Sequence, residues 1–314
     1  MLTTSPRSAP RLSGAVWIDL VDPTDEERQR VEQATKLRLP TKAAIEEIES
    51  SSRVYREGEA FYLSTPVLGD IDCMKGAVTT VGFVLSPAHL VTLRFGHVAA
   101  LDAAAASYAS VTAPRADDAF LKALEAIVES TADALEHASA ELEKISHASF
   151  RAEPGGGRNL ARTGRALRGA LRKVGAMGDG MSHIRDTLLG LDRIVAFVHE
   201  SGHAARAAAD VPRSSALRTD IASLKEYQEH LSNKVQFLLD ATLGFINMEQ
   251  NDIVKTLTIA SVVGVPPVLI AGIYGMNFQH MPELTWSLGY PFALAMILVS
   301  GLLPLVWFKW RGWM

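Results

Sequence analysis

The chain has 314 residues, of which 48% are hydrophobic and 21% are charged, with a formal net charge of −4 that favours no particular partner. A mean hydropathy of +0.11 predicts a largely soluble chain with a membrane segment at one end. Cys73 is the only cysteine, which excludes an intrachain disulfide and a cysteine metal cluster. Met1 to Leu12 lacks the apolar core of a signal peptide, so we expect a large cytoplasmic domain.

The first 115 residues predict a small α/β domain. Met1 to Ser13 is polar and is predicted to be loose. Thr24 with Glu27 three residues later predicts a capping box at the start of a helix. A second short helix is expected from Thr41 to Ser50. Four strands are predicted, the last two joined by a hairpin turn: Ala15 to Leu20, Glu59 to Leu68, Ala77 to Leu85 and His89 to Arg94.

Residues 116–210 predict a helical hairpin region. Its first helix, Asp117 to Phe150, carries an acidic stripe, and the segment after the Pro154-Gly155-Gly156-Gly157 turn carries a basic one. The stripes comprise Glu125, Glu129, Asp133, Glu136 and Glu143, and Arg158, Arg162, Arg165, Arg168 and Arg172. Nucleic acid or anionic lipid are alternative partners for the basic stripe. Because no aromatic residues alternate with the arginines, we favour a salt-bridged hairpin and expect no nucleic acid partner.

A further helix is predicted from Gly180 to about Ala209, followed by a stalk helix over residues 211–255. From Arg213 onward the apolar residues step by three, four and seven, with no helix breaker until Gly264. The stalk is expected to continue into the membrane, so that some 60 residues would span ~90 Å. A helix of that length needs partner stalks or the earlier helices to pack against.

Residues 256–314 predict a transmembrane domain made of two membrane spans. One uncharged stretch runs from Thr256 to the residue before Glu283, and the other runs from Leu284 to Phe308. Each exceeds the ~20 residues that a helix needs to cross a bilayer. Lysine and arginine flank the pair but are missing from the loop, which predicts that both termini are cytoplasmic. The alternative is a buried hairpin of a soluble enzyme.

The loop between the spans carries a recognisable motif. Tyr274-Gly275-Met276-Asn277-Phe278, followed by Met281-Pro282-Glu283-Leu284, resembles the CorA family of divalent-cation channels. Those proteins carry Gly-Met-Asn at the outer end of the first of two membrane helices. The close match covers roughly Asp240 to Met314, and upstream the resemblance is one of architecture. It implies an α+β cytoplasmic domain with long stalk helices and a C-terminal two-helix transmembrane hairpin, assembled as a pentameric homo-oligomer in the inner or plasma membrane.

The resemblance also implies which face of the first span lines the pore. Steps of three or four residues from the amide of Asn251 define one helical face, with Leu257 or Thr258 at its third position. Its members are Asn251, Val254, Leu257, Ser261, Val265, Val268 and Gly272. The family often has methionine where this chain has Val254 and Val265, but a valine ring still forms an apolar constriction that gates by dewetting. Helix–helix packing is the alternative role for this face.

In the family the Gly-Met-Asn loop selects the ion, here Gly275, Met276 and Asn277. Mg²⁺ gives up its water reluctantly, and a ring of amide oxygens accepts hydrogen bonds from the hydrated ion without stripping it. Glu283, repeated around an oligomer, would concentrate cations at the mouth. An ordinary interfacial acid is the alternative for Glu283.

Family members also have an inhibitory cation site between neighbouring cytoplasmic domains. The resemblance places its acids at Asp240 on the stalk and at Asp70, or else Asp72, after the matching strand. Two carboxylates repel each other when the site is empty and are clamped together when a divalent ion binds. We therefore expect Mg²⁺, with Co²⁺ or Zn²⁺ as alternatives, to be both the transported and the regulatory ion. No catalytic cofactor is expected.

Three alternatives remain open. A proton-coupled Zn²⁺ transporter of the same family shares Gly-Met-Asn. A membrane-anchored zinc metalloprotease would use His199-Glu200-Ser201-Gly202-His203, which matches H-E-x-x-H. Gly202 weakens the helix that this motif needs, and a protease leaves the Gly-Met-Asn loop unexplained. The third alternative is a membrane-tethered regulatory or scaffold protein with a closed pore.

Overall fold

The computed structural model describes residues 2–5, 12–47, 53–73, 77–150, 160–201, 210–277 and 281–313. The chain forms two compact units, and the long helices contribute residues to both. The first comprises Met1–Pro154 with Arg168–Asp240, and the second comprises Gly155–Leu167 with Ala241–Met314.

A six-stranded mixed sheet forms the base of the first unit. Its order is β1-β2-β6-β5-β4-β3, with β2 and β6 parallel and the other neighbours antiparallel. The four predicted strands are confirmed to within two residues at each end, whereas β1 and β3 were not predicted. The strands are β1 Leu2–Ser5, β2 Trp17–Val21, β3 Val54–Glu57, β4 Ala60–Leu68, β5 Val78–Leu85 and β6 Leu90–Arg94.

Among the described residues, three short helices accompany the sheet: α1 Asp25–Thr35, α2 Lys42–Ile45 and α3 Ala99–Tyr108. The predicted capping box of α1 is confirmed, since Thr24 accepts a hydrogen bond from the Glu27 amide at 3.2 Å and donates its own amide to the Glu27 carboxylate at 3.1 Å. The predicted helix beginning at Thr41 ends already at Ile45, and its positions 48–50 lie outside the described residues.

Alternating strand residues bury both faces of the sheet. On one face Trp17, Phe61 and Phe83 pack with α3 and with the long helices that follow it. On the other face Ile18 and Val84 pack beneath α1 and α2. The sheet is therefore the centre of the first unit.

A buried arginine fixes α3 to the sheet. Arg94 on β6 is 1% exposed and donates to the carboxylate of Asp19 on β2 at 2.7 Å, to the carbonyl of Val98 at 3.1 Å, and to Asp102 on α3. Burial opposes the charge, but the hydrogen bonds to both carboxylates outweigh it and raise the pKa of Arg94. Thr92 also donates to Asp19 at 2.6 Å, so the buried charges are paired.

Four long helices complete the chain: α4 Ala116–Phe150, α5 Leu160–Glu200, α6 Asp210–Tyr274 and α7 Gly289–Trp310. Within the first unit α4, α5 and α6 share an apolar core that includes Leu142, Ile184 and Leu231. The predicted helix start at Gly180 is wrong, because α5 runs continuously from Leu160. Pro212 lies in the first turn of α6, where its missing amide proton costs no helix hydrogen bond.

The acidic stripe of α4 is paired in part by α6. Arg213 donates to both carboxylate oxygens of Glu125, at 3.1 and 2.9 Å, and it also binds Asp118. The acidic stripe is therefore paired at its first position, Glu125, with a cation of α6. Arg158 of the predicted basic stripe lies outside the described residues.

Candidate functional site

In the second unit, α6 and α7 each contain a stretch long and apolar enough to cross a membrane. One face of α6 is half-buried, at positions that recur every three or four residues: Ile259, Val263, Pro266, Pro267, Ile270 and Tyr274. Gly301 of α7 lies against this face, because a Cβ there would be 3.4 Å from Pro267 Cγ and 3.8 Å from the Val263 carbonyl oxygen. This face of α6 is the one that packs on α7.

The seven candidate pore residues lie on the opposite face of α6. All of them are exposed in the single chain, from Asn251 at the inner end to Gly272 near the loop. Leu257, Val265 and Val268 are 67%, 60% and 72% exposed. We call this set of seven the α6 outer face. It is apolar except for one amide and one hydroxyl, so in a membrane protein it must meet lipid, another helix or a pore.

Two successive prolines, Pro266 and Pro267, lie inside α6 without ending it. Each removes one helix hydrogen bond. The close approach of Gly301 to the Val263 carbonyl shows that α7 packs beside one of the freed carbonyl groups. The helix therefore continues through the prolines to Tyr274.

The Gly-Met-Asn segment forms the turn that ends α6. The Gly275 amide donates to the Ala271 carbonyl at 3.0 Å, and the Met276 amide donates to the Ile273 carbonyl at 3.2 Å. Asn277 follows outside the helix and is exposed, and none of the described residues hydrogen-bonds to its side chain. Residues 278–280 lie outside the described part. The turn thus places the exposed amide of Asn277 beyond the end of the α6 outer face.

The chain returns to α7 through a tight connection. Glu283 is exposed within a short 3-10 helix, Pro282–Thr285. Gly289 donates its amide to the Trp286 carbonyl at 2.9 Å, and a Cβ at residue 289 would lie 3.2 Å from the Glu283 carbonyl carbon. Only glycine fits there without displacing the backbone of Glu283.

The two candidate regulatory acids lie in the first unit. Asp70 follows β4 in a bend, is exposed, and accepts the Ile71 amide at 2.6 Å. Asp240 is exposed on α6 and accepts Gln236 Nε2 at 3.1 Å. Asp72 is half-buried. Among the described residues of one chain, no three acids, histidines or cysteines gather in a group that could hold a metal ion.

Of the H-E-x-x-H motif, helix α5 contains His199 and Glu200. Helix α5 ends at Glu200, Ser201 forms a turn, and Gly202 and His203 lie outside the described residues. The helical spacing that would bring His199 and His203 to one face is therefore not supplied by α5.

The model of the family described as CorA-like Mg²⁺ transporter protein matches residues 13–310. The chain belongs to the CorA family. The magnesium transport protein CorA of Escherichia coli strain K12 is 32% identical over 305 residues, which cover 96% of this chain and 93% of that protein.

Two solved structures have the same fold as this chain or as its first part. The complete CorA magnesium transporter of Methanocaldococcus jannaschii superposes with a TM-score of 0.72 at 18% identity, covering 95% of this chain and 91% of that one. The cytoplasmic domain of ZntB from Vibrio parahaemolyticus gives a TM-score of 0.52 at 11% identity, covering 74% and 88%. The α+β domain, long helices and two C-terminal apolar helices of this chain are thus a CorA fold.

Sequence reasoning missed Gly289, which shapes the membrane unit of this CorA chain because it allows the connection after Glu283. A glycine next to the Tyr290-Pro291 helix start is a detectable turn signal. At Gly301 a Cβ would make only ordinary van der Waals contact with Pro267, so that position does not require glycine.

Proposed function

We propose that this protein conducts Mg²⁺, and also Co²⁺, down its electrochemical gradient through a pore lined by the α6 outer face. One observation carries the proposal. The face of α6 directed away from α7 is exposed from Asn251 to Gly272 and leads to Asn277, whose exposed amide has no hydrogen-bond partner among the described residues. Ions would move without covalent chemistry, so no enzymatic activity is expected.

The exposed α6 outer face also supports a homo-oligomer. A ring of identical chains places the same face of each α6 around one axis, as closed head-to-tail contacts require. Rings formed by Val254, Leu257, Val265 and Val268 would be narrow and apolar, and would gate by dewetting. We take the pentamer from the family resemblance.

The loop chemistry supports a hydrated ion. A ring of Asn277 amides offers oxygen acceptors to the first water shell of Mg²⁺, with Gly275 and Met276 forming the turn that presents them. Glu283, exposed beside this turn, adds negative charge at the mouth. The relatives named as magnesium transport proteins favour Mg²⁺ over the zinc alternative.

Gating is proposed to depend on Mg²⁺ bound between neighbouring subunits by Asp240 and Asp70. Both carboxylates are exposed, so each is accessible to a second chain. The ion would hold the stalks in the closed arrangement, and its loss would let the carboxylates repel one another.

We also propose the functional division of the chain and its orientation. Residues 1–115 and 116–210 would form the cytoplasmic part, residues 211–255 the stalk, and residues 256–314 the pore domain of an inner or plasma membrane protein. Both termini would be cytoplasmic, because Lys255, Lys309 and Arg311 lie at the ends opposite the loop.

Uptake by proteoliposomes tests the ion and the driving force. We expect Mg²⁺ and Co²⁺ to enter under an inside-negative voltage alone, and Zn²⁺ to gain nothing from an inward proton gradient. Zn²⁺ entry that requires the proton gradient would replace this proposal with the zinc alternative. No flux of any ion through folded oligomers would favour the scaffold alternative.

A further inference from the structure

The C-terminal end of α7 is folded back into a defined aromatic and basic cluster. The Gly312 amide donates to the Lys309 carbonyl at 3.2 Å, and the Trp313 amide donates to the Phe308 carbonyl at 3.0 Å. Gly312 has φ +72°, a left-handed conformation that side chains rarely adopt. This pair of hydrogen bonds is the Schellman motif. It reverses the chain so that the Trp313 ring stacks on the Phe308 ring, with 5.5 Å between the ring centroids.

Two cations are held in this cluster by aromatic rings. Lys255 at the start of the α6 span lies over the Trp313 ring, with Nζ 5.8 Å from its centroid. The Arg311 guanidinium lies 5.5 Å from the centroid of Trp307. The fold-back therefore brings Trp313 of the C-terminal turn into contact with Lys255 of α6. The cations of both helices thus lie against neighbouring aromatic rings.

The cluster carries positive charge, and among the described residues no carboxylate is paired with it. Lys255, Lys309 and Arg311 form no ion pair with any carboxylate in the part of the chain that the structure describes. Asp252 lies one turn before Lys255 on α6 and forms no ion pair with it. Trp310, at 84% exposure, extends from the same turn. Exposed tryptophan beside unpaired cations, at the end of two apolar helices, is the chemistry of a membrane–water interface.

We propose that Lys255, Lys309, Arg311 and Trp313 form a binding site for the headgroup of an anionic phospholipid. The phosphate would be held between the Lys255 ammonium and the Arg311 guanidinium, while the acyl chains lie along the exposed apolar surface of α7, which includes Leu302, Leu303 and Val306. Because Lys255 belongs to the pore helix and Arg311 to α7, an occupied site would fix the inner end of α6. The inference depends on the proposed membrane orientation but not on ion flux.

Lipid binding to the purified detergent-solubilised oligomer tests the site by native mass spectrometry. Phosphatidylglycerol is compared with phosphatidylcholine of the same acyl chains. A cation near an anionic headgroup contributes about fivefold in affinity. With two such cations, we expect wild type to prefer phosphatidylglycerol by about tenfold or more. The double variant Lys255→Gln/Arg311→Gln should lose nearly all of that preference. Equal retention of the two lipids by wild type would overturn the proposal.

Two further variants separate geometry from charge. Gly312→Val keeps every cation but disfavours the left-handed turn, so it should also weaken the preference by several-fold. Arg185→Gln/Arg218→Gln removes two exposed cations of the first unit and should leave the preference unchanged. If that control pair reduced the preference as much as Lys255→Gln/Arg311→Gln does, net charge alone would explain binding and the site would be rejected. If about a tenfold excess of inorganic phosphate displaced the lipid, the cluster would be a bare anion site, and the headgroup site would likewise be rejected.

Discussion

The backbone of Gly190 on α5 lies directly against the side chain of Thr65 on β4. A Cβ at residue 190 would be 2.8 Å from the Cβ of Thr65, which is itself completely buried. Gly180, on the same helix, approaches Cys73 in the same way, since a Cβ at residue 180 would lie 2.9 Å from Cys73 Sγ. Gly180 and Gly190 thus set how closely α5 packs against β4 and the segment that follows it.

Gly190→Ala should therefore destabilise the first unit despite the better helix propensity of alanine. Overpacking at a rigid backbone position costs about 1–3 kcal/mol. Gly175→Ala is the matched control, because a Cβ at that α5 position meets nothing within 4 Å, and it should stabilise by about 0.5–1 kcal/mol. Denaturant unfolding of the full chain in detergent measures both. Equal effects of the two substitutions would show that the approach to Thr65 is not tight.

Cys73 should be chemically inert in the native protein. Burial, followed by the nearby charge of Asp72, raises the pKa of its thiol to about 11. At pH 8 only about one molecule in a thousand then carries the reactive thiolate. We expect a thiol reagent to label Cys73 slowly at pH 8, with a rate that rises about tenfold per pH unit toward pH 11. Denatured protein is the control and should react at once; fast native labelling at pH 8 would contradict the burial.

The same shift makes stability depend on pH in a known direction. Because the folded thiol has a higher pKa than the unfolded one, its contribution is complete below pH ~9 and is lost as the pH rises through about 11. Cys73→Ala should flatten the fall in unfolding free energy over that interval. An identical fall in wild type and variant would assign it to other groups.

Asp240→Ala should make the channel less sensitive to internal Mg²⁺. Removing one carboxylate of the proposed bridging site weakens the clamp, so more Mg²⁺ is needed to reduce the current. Asp220→Ala is the control, since Asp220 is an exposed acid on the same helix with no proposed ligand role. Patch recordings with graded internal Mg²⁺ give the half-inhibiting concentration. Unchanged inhibition in Asp240→Ala would remove Asp240 from the regulatory site.

Substitutions in the loop should separate selectivity from attraction. Asn277→Ala removes the oxygens proposed to bind the hydrated ion and should lower Mg²⁺ uptake by about tenfold or more, or ~1.4 kcal/mol. Glu283→Gln removes only charge at the mouth, so its effect should be present at low ionic strength and fade at high salt. A salt-dependent loss for Asn277→Ala, or a salt-independent one for Glu283→Gln, would reverse these roles.

The elements that sequence predicted best are those with a strong local pattern. The Thr24 capping box, the alternating core strands and the two uncharged spans each carry their own signal. The exposed α6 outer face followed from helical spacing once Asn251 was chosen as its start. The loop residues came from the family motif rather than from physics.

The missed elements depend on tertiary partners. β1, Leu2–Ser5, is a polar edge strand held by backbone pairing with β2, and β3 is a mostly exposed edge strand. The many glycines of α5 predict a broken helix, but α5 is continuous. Packing against β4 and α6 outweighs the weak helix propensity of glycine. In α3 the buried positions Leu101, Ala104, Ala105 and Tyr108 do recur with helical spacing, but alanine hides the pattern.

The central claim is that the α6 outer face lines the pore, and cysteine accessibility tests it most directly. Val268→Cys lies on that face, whereas Leu303→Cys is an equally apolar, 65% exposed position on α7. Wild type should not react with the reagent, because its one cysteine, Cys73, is buried. We predict that a cationic thiol reagent stops Mg²⁺ uptake by proteoliposomes carrying Val268→Cys and leaves Leu303→Cys and wild type unaffected. Block of Leu303→Cys with full uptake by labelled Val268→Cys would contradict the account.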